Sequence, residues 1–159
     1  MAWHARLLVI ANVTATSPDL LEALQARAER GPIDVTLLMP ATRNGFTGRE
    51  EAEGRLAEAL DRWREAGLEA KGLVGDPDPA VAVREVWNPL AYDEVMVSTL
   101  PGQSSRWMQS DLLHRVAQIT SLDVTHVASR KRPSPRFGPP PEREKPALGA
   151  FTLRAPRNR

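Results

Sequence analysis

The chain has 159 residues, of which 42% are hydrophobic and 26% charged, values that fit one globular domain with an appendage. It contains no cysteine, which excludes disulfides, thiol catalysis and cysteine-rich zinc sites. No apolar run approaches the roughly 20 residues of a membrane helix, and the apolar core of MAWHARLLVI is too short for a secretory signal. We therefore expect a cytoplasmic protein.

The net charge of +1 is unevenly placed along the chain. Residues 130–159 hold nine Lys or Arg against two Glu, together with seven of the fourteen prolines, whereas residues 1–129 carry a net charge of −6. We predict a folded domain over 1–129 and a basic, proline-rich, disordered tail over 130–159. The charge of the tail suits a nucleic acid or an acidic protein, although its few aromatic residues disfavour stacking on bases. Alternatively, the tail is a solubilising extension or folds back onto the acidic domain.

Apolar runs, proline and glycine divide the folded part into alternating strands and helices. The predicted strands are 6–11, 33–39, 68–74, 95–97 and 122–128. Helices are predicted after the Ser-Pro-Asp sequence at 17–19, which has the pattern of a helix start, and then at about 49–66, 80–87 and 111–119. Right-handed crossovers between such strands give an open parallel five-stranded α/β sheet, Rossmann-like, with helices on both faces. The orders 3-2-1-4-5 and 2-1-3-4-5 are both compatible with this pattern.

A polar loop follows the fourth strand, at the edge of an open sheet where ligands usually bind. Its donors could hold phosphate or another anion. Alternatively, the loop is merely solvated and Ser110 caps the last helix. The loop consists of small, polar and basic residues, namely Ser98, Thr99, Gly102, Gln103, Ser104, Ser105 and Arg106.

Three stretches resemble the universal stress protein family, and together the similarity runs from residue 6 to about 128. They are RLLVIANVTATSPDLLEAL, LVGDPDPAVAVREV and YDEVMVSTLPGQSSRWMQSDLLHRVAQITSLDVTHV. This resemblance implies the strand order 3-2-1-4-5, ATP or AMP as the ligand, and a homodimer formed through the last strand, at Val124 and Val127. Together with the residues of the polar loop, the resemblance implies a set of nucleotide-binding residues. They are Asn12, Thr14, Met39, Gly75, Asp76, Ser98, Thr99, Gly102, Gln103, Ser104, Ser105, Arg106 and Ser110.

The sequence departs from the pattern of the nucleotide-binding members of that family. Those members have an Asp where Asn12 stands, and a Gly-x-x-Gly pair followed nine residues later by Gly-Ser or Gly-Thr. Here Ser98 stands at the first glycine, Pro101-Gly102 lies near the second, and Ser110-Asp111 replaces the last pair. Glycine lets a backbone approach phosphate closely, and an Asp at a helix N-terminus competes with a bound anion.

Two of the candidate positions have a plainer interpretation. The Asn12 amide, beside Thr14 at the end of the first strand, could bind an adenine edge or could simply stabilise a turn. The Gly75-Asp76 pair could face a ribose, or Asp76 or Asp78 could cap the next helix.

Nothing in the sequence supports catalysis. There is no GxxxxGK[ST], HxGH or SGGxDS motif, no acidic pair after the first strand and no nucleophile–base arrangement. The histidines, His4, His114 and His126, are too scattered to predict a metal site. We predict a binding or sensor protein with slow ATP hydrolysis at most. The alternative is an interaction protein without a nucleotide, acting through its dimer surface and its tail.

Overall fold

A computed structural model describes residues 3–43, 45–102, 106–109 and 111–130 of the chain. The predicted site residues Gln103, Ser104, Ser105 and Ser110 lie outside the described residues, as does the tail from residue 131 onward. The elements in chain order are β1 Ala5–Ile10, α1 Pro18–Glu29, β2 Ile33–Pro40, α2 Phe46–Glu65, β3 Ala70–Gly75, α3 Pro79–Val86, β4 Glu94–Thr99, α4 Arg106–Gln109, α5 Leu112–Thr120 and β5 Val124–Ala128.

The five strands form one parallel sheet in the order β3-β2-β1-β4-β5. This result confirms the α/β class and selects 3-2-1-4-5 from the two orders that the element pattern allowed. β1 is the central strand, and it pairs with β2 on one side and with β4 on the other. β2 and β3 lie on one side of β1, and β4 and β5 lie on the other, so the direction in which strands are added reverses between β1 and β4. Such a reversal leaves a crevice outside the carboxyl ends of the two strands.

Two apolar cores cover the two faces of the sheet, because successive strand residues point to opposite sides. On one face, Leu7 and Val9 of β1 belong to a core that includes Trp63 of α2. On the other face, Leu8 and Ile10 belong to a core that includes residues of α3 and α5. β1 is therefore buried on both sides, which explains its continuous apolar run.

The helix starts largely follow their sequence signals. Ser17 caps α1, accepting a hydrogen bond from the Asp19 N–H at 3.1 Å, with proline at the first helical position. By contrast, α2 begins at residue 46, three residues before the predicted start, after Gly45 in a left-handed conformation with φ of 60°. A Cβ at Gly48 would collide with the Thr42 carbonyl oxygen, so this glycine permits the close turn into the helix. The short helix α4 was not predicted.

Two ion pairs at the amino side of the sheet hold β1, β4 and α1 together. Arg6 binds Asp93 through its Nε at 3.0 Å and its Nη2 at 2.9 Å. Arg27 of α1 binds Glu94 through its Nε at 2.9 Å and its Nη2 at 2.6 Å. Hydrogen bonding to these arginines lowers the pKa of both carboxyl groups. Within the described residues, no helix is both long and apolar enough to cross a membrane.

Candidate functional site

The carboxyl edge of the sheet collects the loops after β1, β2, β3 and β4, where the sequence placed the ligand site. The loop after β1 carries Asn12 and Thr14, and the loop after β4 carries Gly102. Because parallel strands end at the same edge, these segments converge at the point where the strand order reverses.

The Asn12 amide, half-buried at the end of β1, is held at both of its polar atoms. Its Nδ2 donates to the Pro40 carbonyl oxygen at 2.9 Å. Its Oδ1 accepts a short hydrogen bond from Nη1 of Arg55, which reaches across from α2. Asn12 therefore does more than stabilise its own turn, since it links β1, β2 and α2. The contact also brings a guanidinium group to the carboxyl end of β1.

Three buried hydroxyl groups join the segments that border the crevice. Thr14 Oγ1 lies 2.8 Å from Ser98 Oγ and 3.3 Å from the Ser98 carbonyl oxygen, and Ser98 Oγ donates to Ser129 Oγ at 2.8 Å. The three residues are at most 1% exposed. Two of the predicted binding residues therefore direct their hydroxyls toward each other and toward the chain segment that follows β5.

Two other predicted site residues also have buried side chains. Met39 is fully buried in the core on the α1 and α2 face. The Thr99 hydroxyl lies 2.8 Å from His126 Nε2 and donates to the Leu100 carbonyl oxygen at 2.9 Å. In this conformation, contact with a ligand at Met39 would have to come from the backbone.

Asp78, and not Asp76, caps α3. Asp78 Oδ1 accepts from the N–H groups of Ala80 at 2.9 Å and Val81 at 3.4 Å, which confirms the capping interpretation for this residue. Burial acts to raise the pKa of Asp78, but these hydrogen bonds and the charges of Arg115 and Arg43 leave that pKa below its ordinary value.

Gly75 and Asp76 have structural roles at the end of β3. Asp76 Oδ1 accepts from the Asp78 N–H at 2.8 Å, which shapes the turn before α3. A Cβ at Gly75 would lie 2.9 Å from Ala82 Cβ and 3.0 Å from Leu38 Cδ1, so the close packing of α3 on the sheet requires a glycine there. Both residues are nevertheless partly exposed at the carboxyl edge.

The described part of the loop after β4 presents two predicted residues to solvent. Gly102 is exposed and has a φ of 54°, a left-handed conformation that suits glycine. Arg106 is exposed at the start of α4, while Trp107 packs against the core on the α3 and α5 face. Asp111 precedes α5 with a φ of 59° and makes no capping hydrogen bond with its side chain.

Arg130, the first residue of the predicted tail, is fixed to the N-terminal turn of α1. Its backbone N–H and its Nε both donate to Asp19 Oδ2, at 2.9 and 3.0 Å, and its Nη2 donates to Asp19 Oδ1 at 2.9 Å. These hydrogen bonds lower the pKa of Asp19 to about 2. The tail thus leaves the folded domain beside the start of α1.

Arg55 is the site residue that sequence reasoning missed. Its position on α2 could have indicated this role. Arg55 lies one residue before Leu56 and three after Ala52, both of which are buried, so it borders the apolar side of the helix. A basic residue beside the apolar stripe of a helix can reach over the edge of the sheet that the helix covers. In the part of the chain that the structure describes, no group of three or more His, Asp or Glu side chains could hold a metal ion.

Comparison with solved structures identifies the fold. A universal stress protein from Archaeoglobus fulgidus is 13% identical, with a TM-score of 0.54 over 78% of this chain and 93% of its own. A universal stress protein solved in complex with cAMP is 21% identical, with a TM-score of 0.51 over 81% and 99%. A universal stress protein from Archaeoglobus fulgidus in complex with dAMP is 14% identical, with a TM-score of 0.53 over 80% of this chain and 99% of its own. No protein-family model matches the chain, and no curated protein matches it.

The molecule is therefore an open α/β protein with a parallel sheet whose strand order reverses between β1 and β4. More particularly, it has the fold of the universal stress proteins, as the sequence resemblance predicted.

Proposed function

We propose that the chain is a universal-stress-type binding protein that holds an adenine nucleotide, or a smaller anion, at the carboxyl ends of β1 and β4. The observation that carries this proposal is the hydrogen bond of Arg55 to Asn12 at the carboxyl end of β1, beside β4, which Thr14 joins through Ser98. Two neighbours of the same fold, solved in complex with cAMP and dAMP, add support from similarity. The predicted role is binding, because the sequence contains no nucleophile–base arrangement.

Calorimetric titration of the purified protein with ATP, AMP and cAMP tests this proposal, once bound nucleotide has been excluded by absorbance. We expect micromolar affinity for at least one of the three. Gly102→Val should weaken it, because valine tolerates a φ of 54° poorly and would displace the loop after β4. Absence of heat at millimolar concentrations of all three nucleotides would contradict the proposal.

A second candidate function is that of an interaction protein without a nucleotide, and a specific observation favours it. The hydroxyls of Thr14, Ser98 and Thr99, expected to face a ligand, are buried and bonded within the protein. Under this alternative, the basic tail supplies the contact with an acidic partner. Deletion of residues 131–159 would then abolish partner binding, and unchanged binding would exclude that role for the tail.

We propose further that the chain forms a homodimer through β5. This strand lies at one end of the sheet, pairs with β4 on one side, and leaves Val124 and Val127 only partly buried. An edge strand of this kind can pair with the same strand of a second copy. Light scattering at micromolar concentration should give the mass of a dimer, and a monomer mass would count against this assembly.

A further inference from the structure

Arg55 differs from the other arginines of α2 in its choice of partner. Arg49 pairs with Glu53, Arg62 with Glu58 and Arg64 with Asp61, so each of these three satisfies an acid on the same helix. Arg55 also has acids at neighbouring helical positions, since Glu51 stands four residues before it and Glu58 three after it. It donates instead to the neutral amide of Asn12.

The Arg55 guanidinium lies at the carboxyl edge of the sheet, beside the ends of β1 and β2. Asn12 follows β1 directly, and its amide also bonds the Pro40 carbonyl at the end of β2, so the Arg55 head group lies over the carboxyl edge at these two strands. In the described part of the chain, no carboxylate forms an ion pair with Arg55. A partly buried guanidinium without a counter-charge is unfavourable alone and becomes favourable when an anion binds.

The atoms around Arg55 also indicate which part of a ligand fits there. A guanidinium has five N–H donors, and one of them is used on Asn12. The amide of Asn12 is oriented by Arg55 and Pro40, with its oxygen toward the cation. A phosphate or carboxylate can accept from the remaining donors in a bidentate geometry, whereas the amino edge of a purine would meet a positive charge.

We infer that Arg55 anchors the anionic group of the ligand at the β1, β2 and α2 corner of the crevice. This inference rests on the proposed function, and it adds the position and chemical class of the group that binds there. Arg106, exposed at the start of α4, is the competing anchor, on the β4 side of the crevice. A nucleoside monophosphate would bind with its phosphate toward α2 if Arg55 is the anchor, and with its phosphate toward α4 if Arg106 is the anchor.

Titrations with AMP and with adenosine distinguish the two anchors. We expect Arg55→Gln to weaken AMP binding at least tenfold and to leave adenosine binding within about twofold, because only AMP carries the anion. Arg55→Lys should recover part of the loss, because it restores the charge without the planar fork. Arg62→Gln is the matched control, since it removes a guanidinium of the same helix that pairs with Glu58. Thermal unfolding checks that each variant is folded.

Substitution at Asn12 gives a second test with a predicted sign. Asn12→Asp places a carboxylate against Arg55 and should weaken AMP binding by neutralising the anchor. If the carboxylate instead binds the adenine edge, as the family resemblance implies for that position, AMP binding should become tighter. Tighter binding in Asn12→Asp, or unchanged AMP binding in Arg55→Gln, would overturn the inference. Loss of AMP binding in Arg106→Gln with Arg55→Gln unchanged would assign the anion to the β4 side.

Inorganic phosphate separates this inference from the proposed nucleotide function. If the wild-type protein binds neither AMP nor adenosine, nucleotide binding fails, but a phosphate titration followed by NMR still tests the anchor. Shifts of the Asn12 side-chain amide that saturate with phosphate and disappear in Arg55→Gln would support it. Absence of such shifts would overturn the inference that Arg55 binds an anion.

Discussion

The buried hydroxyls of Thr14, Ser98 and Ser129 are hydrogen-bonded to one another, and a substitution at Ser98 tests how much these bonds stabilise the fold. Ser98→Ala removes the central hydroxyl, which lies 2.8 Å from Thr14 Oγ1 and 2.8 Å from Ser129 Oγ. Thr14 can keep its 3.3 Å hydrogen bond to the carbonyl oxygen of residue 98, but Ser129 loses its donor in a site where it is fully buried. Deleting one partner of a buried hydrogen bond costs about 1–3 kcal/mol. We expect the free energy of unfolding to fall by about that amount.

Urea unfolding followed by circular dichroism measures this change. Gln25→Ala is the control, because it removes an exposed polar side chain from α1 and should alter the unfolding free energy by less than about 0.5 kcal/mol. Ser129→Ala alone, and combined with Ser98→Ala, completes a double-mutant cycle, in which the combined loss should be smaller than the sum of the two single losses by about 0.5–1 kcal/mol. A Ser98→Ala protein as stable as the wild type would refute the structural role that we assign to this hydroxyl.

Three further predictions concern charge and packing elsewhere. The pKa of Asp19 is lowered from 3.8 to about 2 in the folded protein by its hydrogen bonds to Arg130. The contact between the two residues should therefore be fully present above about pH 4 and lost as the pH approaches 2. A side-chain NMR titration in which Asp19 protonates near its ordinary pKa would contradict this. Gly75→Ala should destabilise the protein by about 1–3 kcal/mol, because the new methyl would overlap α3, and an unchanged melting temperature would refute that packing argument. Glu94→Gln should lower the free energy of unfolding in urea by about 1 kcal/mol, because the Arg27 side chain is only 12% exposed and loses its carboxylate partner, while Glu94 itself is 38% exposed to solvent. An unchanged free energy of unfolding would contradict this role of the pair.

The strand and helix pattern was predictable because it depends on local signals. The apolar run of β1 and the Ser-Pro-Asp start of α1 express burial and capping, which act within a few residues. Element types alone left two strand orders open, because connectivity does not specify which strands pair. The resemblance supplied the order that the structure confirms. The start of α2 was missed because Phe46 is fully exposed and breaks the apolar periodicity, while Gly45 and Gly48 suggested a loop.

The site was harder to predict because its contacts join distant parts of the chain. Thr14, Ser98 and Ser129 come from three segments, and each alone resembles a ligand-facing residue at a strand end. Nothing in the sequence indicates that their hydroxyls satisfy one another.

Arg55 shows what determines the chemistry of this crevice beyond the fold. Residue 12 is an amide here, and an amide accepts a hydrogen bond from a guanidinium without neutralising it. An Asp at this position would form an ion pair with Arg55 and cancel the charge that an anionic ligand needs. The amide at residue 12 and the guanidinium of Arg55 on α2 are therefore best understood together. Under our inference, the two residues make the β1 end of the sheet a site for anions, and this is the property that the Asn12 and Arg55 variants measure.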